Sequence, residues 1–417
     1  MMAKPNIPEL AGMSVFRPQD VYTIANALVK EVTGQSPTVT AVDTSSFVHV
    51  GQMCLNVSKE GTLRALSNML ARTIIASRPY SSRFSSIEVS NQEWGLYLRK
   101  ISFFASNFDE SEFINTVQNP ETLVDGNSLD MYKIKKRYPL EMFYFGQSVL
   151  NQRYTRFLRQ LNTAFSSESE FSQFMYAMMV EIQNDVESWK EAENRAVFMN
   201  YIGGIFNTGK PAQKVNLTAE FNRARGTAYT SEELRTTHLQ EFLSFFVAWL
   251  EITSGLMEHR TEMYHLTPRC TDDHGNKLKL FRHTPKSEQK LMLYNPLIVD
   301  ARAWVFPAIF GPGYLTFGNY EGVDYWQNIN DKSAISVTPS QFNVDTAQEE
   351  IGTPVKLDYV VGLLYDRRAL ATTYFQDSVY TTPFNISGEY WNIEHHWKMN
   401  YTEDPTENAI LMYMADV

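Results

Sequence analysis

The sequence predicts an α+β fold in which one very long helix separates a β-ribbon from a strand-rich close. Three observations carry this reading. Phe171, Phe174, Met175, Met178, Ile182, Val186 and Trp189 recur at helical spacing behind a capping box, Ser167-Glu168-Ser169-Glu170. Trp94–Phe103 and Met131–Tyr138 have β character and flank a polar, turn-rich stretch. Val360–Tyr365, Tyr390–Met399 and Ala409–Met414 then read as strands. Of 417 residues, 43% are hydrophobic, which supplies a sizeable core and excludes disorder throughout.

Each element has a local reason. The first fifty residues mix Pro and Gly around one helical patch, Asp20–Val32, and read as an arm. Leu63–Ile75 is expected to be helical, with Leu63, Leu66, Met69 and Leu70 on one face and a stop before Pro79. Phe84–Phe145 changes character. Ile87-Glu88-Val89 and Trp94–Phe103 are strand-like, and the returning strand is expected over Met131–Tyr138, with Asn107–Asn127 as a decorated tip. A two-stranded ribbon of this length is marginal alone and wants another surface to lie on.

The long helix is expected to persist to Phe198 and stop at Gly203-Gly204. About 36 residues make a rod of roughly 54 Å, against a radius of gyration of about 22 Å for a compact chain of this length. Its charges are lopsided, with Glu168, Glu170, Glu181, Asp185, Glu187, Glu191 and Glu193 against Lys190 and Arg195. A second capping box, Thr230-Ser231-Glu232-Glu233, starts another helix whose apolar face is Leu239, Phe242, Leu243, Phe246, Val247 and Leu250. Glu258–Ser287 is polar, with a turn at Asp272-Asp273-His274-Gly275-Asn276. Leu291–Phe310 reads as strand, turn and helix, Gly311–Gly322 as a loop, and Asp366–Ala371 as a short helical turn.

Charge and motifs narrow the function classes. Against 37 basic residues stand 47 acidic ones, a net charge of −10, which opposes a general nucleic-acid binder. Two cysteines, Cys54 and Cys270, make no disulfide framework and are expected to be reduced. No signal peptide is expected, and the most apolar run, Phe242–Leu250, is too short to span a bilayer. Gly311-Pro312-Gly313 followed by Gly318 fits neither phosphate-loop spacing. Glu394-His395-His396 does not read as a metal site, because adjacent histidines in a strand point to opposite faces. His259 and His265, near Glu258 and Glu262, read as solvated charge at a helix end. No G-x-S-x-G motif is present. The chain is therefore expected to have no catalytic, cofactor or metal residues. The competing enzyme reading would place Glu394, His395 or His259 in a buried cleft.

Two features point to a protein partner instead. The returning strand of the ribbon carries Lys133, Lys135, Lys136 and Arg137, and the long helix carries an acidic excess. Charge of this kind sets register and encounter rate more than affinity. The alternative is two solvated faces on one monomer.

The order of arm, ribbon, long helix, mixed middle and strand-rich close resembles the major capsid proteins of tailed double-stranded-DNA bacteriophages, the Hong Kong ninety-seven-type fold. Val361-Gly362-Leu363-Leu364-Tyr365-Asp366-Arg367-Arg368-Ala369-Leu370 looks like the strand and turn before the last strands of such shells. Gly388-Glu389-Tyr390-Trp391-Asn392-Ile393-Glu394-His395-His396-Trp397 and Glu407-Asn408-Ala409-Ile410-Leu411 are similar to the closing segments of small podophages of the phi-twenty-nine type. The resemblance implies an N-terminal arm (1–50), a first part of a peripheral domain (51–83), an extended loop (84–146), a peripheral domain with the spine helix (147–214), an axial domain (215–353) and closing strands of the peripheral domain (354–417). It implies no enzyme and no cofactor. The implied function is a major capsid protein that self-assembles into hexamers and pentamers, with ribbon residues Lys133, Lys135, Lys136 or Arg137 meeting Glu181, Asp185, Glu187 or Glu191 of a neighbour. Implied partners are other copies, portal and scaffolding proteins, and packaged double-stranded DNA by weak, non-specific contact, with no membrane. The implied location is the virion, after assembly in the host cytoplasm. A non-viral, encapsulin-type shell is the nearest alternative.

Overall fold

The computed structural model describes residues 18–33, 41, 43–57, 62, 65, 83–89, 97–105, 132, 136–145, 147–160, 165, 168–297, 299 and 320–416. In chain order the helices are α1 (Pro18–Thr33), α2 (Thr44–Val57), α3 (Glu168–Thr208), α4 (Leu217–Arg225), α5 (Ser231–Arg235) and α6 (Leu239–Met257). The strands are β1 (Tyr97–Phe103), β2 (Pro139–Phe145), β3 (Gln147–Phe157), β4 (Lys214–Asn216), β5 (Gln289–Tyr294), β6 (Tyr320–Val323) and β7 (Ile335–Val337). They continue as β8 (Ser340–Asn343), β9 (Gln348–Ile351), β10 (Val355–Leu357), β11 (Val360–Asp366), β12 (Leu370–Thr381), β13 (Tyr390–Glu403) and β14 (Ala409–Tyr413). The chain forms two compact units, the first from residues 1–94, 146–194 and 372–401, the second from 95–145, 195–371 and 402–417.

In the first unit, β12, β13 and β3 form a three-stranded sheet in that order. β13 and β3 run antiparallel from Tyr390 opposite Phe157 to Asn400 opposite Gln147. Trp391, Ile393, His395, Trp397 and Met399 of β13 are buried, and the residues between them face outward, as a period of two requires. α1 and α2 are packed into this unit's core. Leu28 and Val29 join Phe47, Val50, Phe165, Phe171 and Trp391 in one cluster, with the Phe47 and Phe171 rings edge to face at 5.4 Å. Residues expected in an arm thus contribute core side chains. The start of α2 went unpredicted, although Asp43 and Ser46 cap each other reciprocally: Ser46 N donates to Asp43 Oδ1 at 2.7 Å, and Asp43 N to Ser46 Oγ at 3.0 Å. Buried Asn194 on α3 ties three segments together, donating to Glu88 Oε1 at 3.0 Å while its Oδ1 accepts from Thr372 Oγ1 and Tyr374 Oη.

The second unit is built on a five-stranded sheet in the order β4-β14-β11-β5-β6. β11 lies at its centre, antiparallel to both β14 and β5, and every residue of β11 is buried. A Cβ on Gly362 would lie 2.2 Å from the backbone oxygen of Met292, so only glycine allows this pairing. α6 buries Phe242, Leu243, Phe246 and Leu250, and the Phe221 ring of α4 meets Phe245 at 5.3 Å. Phe198 stacks on Trp326 at 5.7 Å, and Trp326 donates through Nε1 to Val360 O at 2.8 Å.

The structure changes several expectations. α3 does not stop at Gly203-Gly204 but runs to Thr208. A side chain at Gly203 would meet Val337 Cγ1 at 2.8 Å and Pro339 Cβ at 3.0 Å, so this glycine serves close approach, not termination. The ribbon exists, but β1 pairs with β2, Tyr97 opposite Phe145 through Phe103 opposite Pro139, and of the stretch expected to return, the described residues 132 and 136–138 lie outside the strand. The capping box at Thr230 is present, yet it starts only α5, and Thr236–His238 interrupt before α6. Asp366 begins a tight turn, with Ala369 N donating to Asp366 O at 2.8 Å, and leads directly into the unexpected β12. β3 also went unpredicted. The compact units follow different lines from the segments expected from sequence, since β11 and β14 share one sheet with β4 and β5. Except for residues 65 and 320–322, the expected helix over Leu63–Ile75 and the loop at Gly311–Gly322 lie outside the described residues. The ribbon tip at Asn107–Asn127 lies wholly outside them.

Candidate functional site

Two acidic residues of α3, Glu181 and Asp185, sit beside β3 in the first unit. Glu181 accepts from Arg156 Nη2 at 2.8 Å, and Asp185 from Gln152 Nε2 at 3.2 Å. Glu187 is buried and pairs with Lys190 at 3.1 Å, one helical turn away. Glu191 accepts from the backbone N of Arg83 at 3.3 Å. Burial, reinforced by the charges of Asp185 and Glu181, drives the Tyr154 phenol far above its usual range. Half of the Glu181 side chain is exposed, and Asp185 is exposed as well.

On the basic side, Lys133 and Lys135 lie outside the described residues. Lys136 is exposed, donates to Asp273 Oδ2 at 2.9 Å and holds its ammonium 5.1 Å from the Tyr138 ring. Arg137 is exposed beside it. The turn expected at Asp272–Asn276 forms, with Asp272 Oδ1 accepting from the backbone of His274 and Asn276. It carries Lys136's partner, which sequence reasoning did not identify.

The ribbon has two unlike faces. Leu98, Lys100, Ser102, Leu140, Met142 and Tyr144 share one parity. Ser102 and Leu140 of that set are buried, and Leu140 packs with Phe104 and Leu280. Arg99, Ile101, Phe103, Pro139, Glu141 and Phe143 share the other. There Ile101, Phe103 and Phe143 are 52%, 62% and 56% exposed, and Arg99 pairs with Glu141. Three large apolar side chains thus lie exposed on one face, beside one ion pair.

Behind the ribbon lies a charged cluster that sequence reasoning missed. Lys100 Nζ donates to Asp404 Oδ2 and to Glu407 Oε1. Arg282 donates to Thr406 O at 3.0 Å and to Ser102 Oγ at 2.9 Å, and lies 3.7 Å from Glu407. Burial raises the Glu407 carboxyl, while Lys100 and Arg282 draw it back. Burial, then the Asp404 charge, lifts both the Tyr144 and Tyr201 phenols well above their usual range. Alternation along β1 puts Lys100 on the buried parity, which is the one signal that marks it.

Next to it, His265 is fully buried, with Asn408 Oδ1 3.1 Å from Nδ1 and Leu280 O 3.0 Å from Nε2. The expectation of solvated charge at a helix end therefore fails for His265. Burial brings its pKa down to about 4, so the ring is neutral. Asn408 also donates to Thr284 Oγ1, which donates to Asp366 Oδ2 at 2.7 Å. The neutral ring donates its one N–H to one of the two facing oxygens, and the Asn408–Thr284–Asp366 chain beside it is a structural network.

The residues of the enzyme reading are placed otherwise. Glu394 pairs with Arg153 across the β13–β3 ladder, while His395, its neighbour, is buried against the Tyr154 ring and brought down to about 4 by burial. They point to opposite faces, as strand geometry requires. His259 is exposed in the second unit. Burial raises the Cys54 thiol to about 11, the reverse of what a nucleophile needs. Among the described residues, no group of three or more His, Cys, Asp or Glu side chains could hold a metal, and no helix is long and apolar enough to cross a membrane.

No family model matches the sequence, and no curated protein matches it. Among solved structures, the chain is similar to a capsid structure of Staphylococcus phage Andhra, at 13% identity and a TM-score of 0.47, over 82% of this chain and 86% of that one. It is similar to a chain of bacteriophage P68, from a structure of its head fiber and inner core protein gp22, at 13% identity and a TM-score of 0.47, covering 80% and 84%. A capsid structure of cyanophage P-SCSP1u is similar at 12% identity and a TM-score of 0.43, covering 82% and 90%.

Proposed function

We propose that this chain is a major capsid protein of a tailed double-stranded-DNA bacteriophage, a subunit that assembles with its own copies into hexamers and pentamers of an icosahedral shell. One observation carries the reading most directly. The chain has ample apolar material for its cores, yet its ribbon leaves Ile101, Phe103 and Phe143 more than half exposed on a single face. Such a face suits a partner that covers it, and a repeated chain covers it by heterologous contacts that close into rings. The element order, with the ribbon before α3 and the sheet closed by β11 and β14, supports the same assignment. In this reading the three-stranded sheet with α1, α2 and the first part of α3 is the peripheral domain, and the five-stranded sheet is the core of the axial domain.

The charged surfaces have a part in it. Lys133, Lys135, Lys136 and Arg137 of one copy approach Glu181, Asp185 and Glu191 of the next, with Glu187 contributing least because it is buried. Portal and scaffolding proteins are further partners, and packaged DNA is met only weakly because the chain carries −10. The shell belongs to the virion and forms in the host cytoplasm. Negative-stain microscopy of the purified protein at rising concentration tests the proposal. Rings or closed shells are the expected result, and a protein that stays monomeric and enters no particle overturns it.

A further inference from the structure

Helix α6 is apolar on two faces, and the second unit buries one of them. Phe242, Leu243, Phe246, Leu250 and Met257 are buried. At 3.6 residues per turn, Glu241, Phe245, Ala248, Ile252 and Leu256 lie within about 40° of one line on the other side. Ile252 and Leu256 are 65% and 46% exposed, Ala248 is exposed, and Phe245 is half-buried. The Glu241 side chain opens this line, two-thirds exposed. Exposed His259 closes it, in a tightened last turn where its N donates to Leu256 O at 3.2 Å.

The order of side chains along this line is self-complementary. Residues equidistant from Leu250 match large with small: Phe245 with Gly255, Ile252 with Ala248, and Leu256 with Ser244. A Cβ on Gly255 would meet nothing within 4 Å, so space is open there. The Ser244 hydroxyl turns back to Gln240 O at 3.0 Å and asks for no outside partner. The same reckoning sets Glu241 against His259, a carboxylate acceptor against an imidazole donor. A two-fold contact requires this ordering, because residue i meets j while j meets i.

We propose that two copies of this chain pair through α6, antiparallel about a two-fold axis at Leu250, before any shell forms. Ile252 of each copy seats beside Ala248 of the other, Phe245 over Gly255 and Leu256 over Ser244. Small residues opposite large ones let the helix axes approach to about 8–10 Å. Other charges stay at the flanks: Glu251 lies 3.7 Å from Lys286, and Glu241 has His238 Nδ1 3.8 Å away. A single helix pair falls short of the roughly 1,200 Å² of a standard interface, so a dissociation constant on the order of 10 μM is expected. The contact uses neither the ribbon nor α3.

Sedimentation velocity of the full chain between about 1 and 100 μM, with any particles pelleted first, tests the pairing. Wild-type protein should pass from monomer to dimer over this range. Ile252→Glu, shown folded by circular dichroism, should raise the dissociation constant by at least about tenfold. Glu241→Lys and His259→Glu should each weaken the dimer, and the double variant, which exchanges the two ends, should restore it. Wild-type protein that stays monomeric throughout overturns the proposal, as does a double variant no better than the singles. Growth beyond two chains that Ile252→Glu abolishes marks a head-to-tail contact with another surface and overturns the two-fold. A dimer that behaves as described yet enters no particle supports this contact while overturning the shell reading, so the two fail separately.

Discussion

At the scale of single residues, two titratable groups, fully buried His265 and partly buried Glu403, set opposite pH dependences. His265 is neutral in the fold, its pKa brought down to about 4 by burial. Above pH about 6.5 it costs nothing, because the unfolded imidazole is also neutral. As pH falls toward 4, the unfolded chain takes a proton the fold refuses, and stability is lost, on the order of 3 kcal/mol in full. Denaturant melts between pH 7 and 4 should show this slope, to which His395 contributes alike, and His265→Gln should remove about half of it. Glu403 behaves oppositely. Burial pushes its carboxyl up to about 8, despite Asn200 Nδ2 donating to it at 2.6 Å. Its folded value lies above its unfolded one, so stability is lost as pH rises from about 4.5 through 8. Glu403→Gln should therefore melt higher than wild type at pH 8.5 and no higher at pH 4. The two windows overlap between pH about 4.5 and 6.5, where the opposing slopes offset, and the wild-type optimum lies there.

At the scale of elements, α3 and the ribbon make distinct demands. Gly203 lets Val337 and Pro339 approach the helix, and Gly203→Ala should destabilise by about 1–3 kcal/mol, read from the denaturation midpoint. An unchanged midpoint would mean that these neighbours yield freely. For the ribbon, charge reversal at Lys135 and Lys136 should leave the monomer folded, because the Lys136–Asp273 contact is exposed at both ends. Shell yield should drop, and normal particles from that variant would sink the pairing with α3. The elements also show why sequence reading misplaced some boundaries. Met131–Tyr138 alternates as convincingly as Pro139–Phe145. The pairing is decided by Leu140 and Met142, which pack with Phe104 and Leu280, a partner far along the chain. Gly203-Gly204 carries a true stop signal, overruled because the helix gains more by packing on.

At the scale of the whole molecule, assembly steered by charge but held by apolar contact has a recognisable salt response. Raising ionic strength should slow shell formation, followed by light scattering, by on the order of tenfold. The final particles should persist, since Ile101, Phe103 and Phe143 are indifferent to screening. Loss of particles at high salt would shift the weight to the Lys133–Arg137 contacts. The sequence by itself determined the α+β class, the long acidic helix, the ribbon and the buried strands β11, β13 and β14, because each rests on periodicity within one segment. It also determined that His395 and His396 part to opposite faces. Only the tertiary structure decided which strands share a sheet, that α1 and α2 belong to a core, and that Lys100, Arg282, Asp404 and Glu407 meet. Those outcomes depend on residues far apart in the chain that alternation marks as buried but cannot pair. Each is settled by burial against a distant partner, and no single stretch of sequence specifies which partner that is.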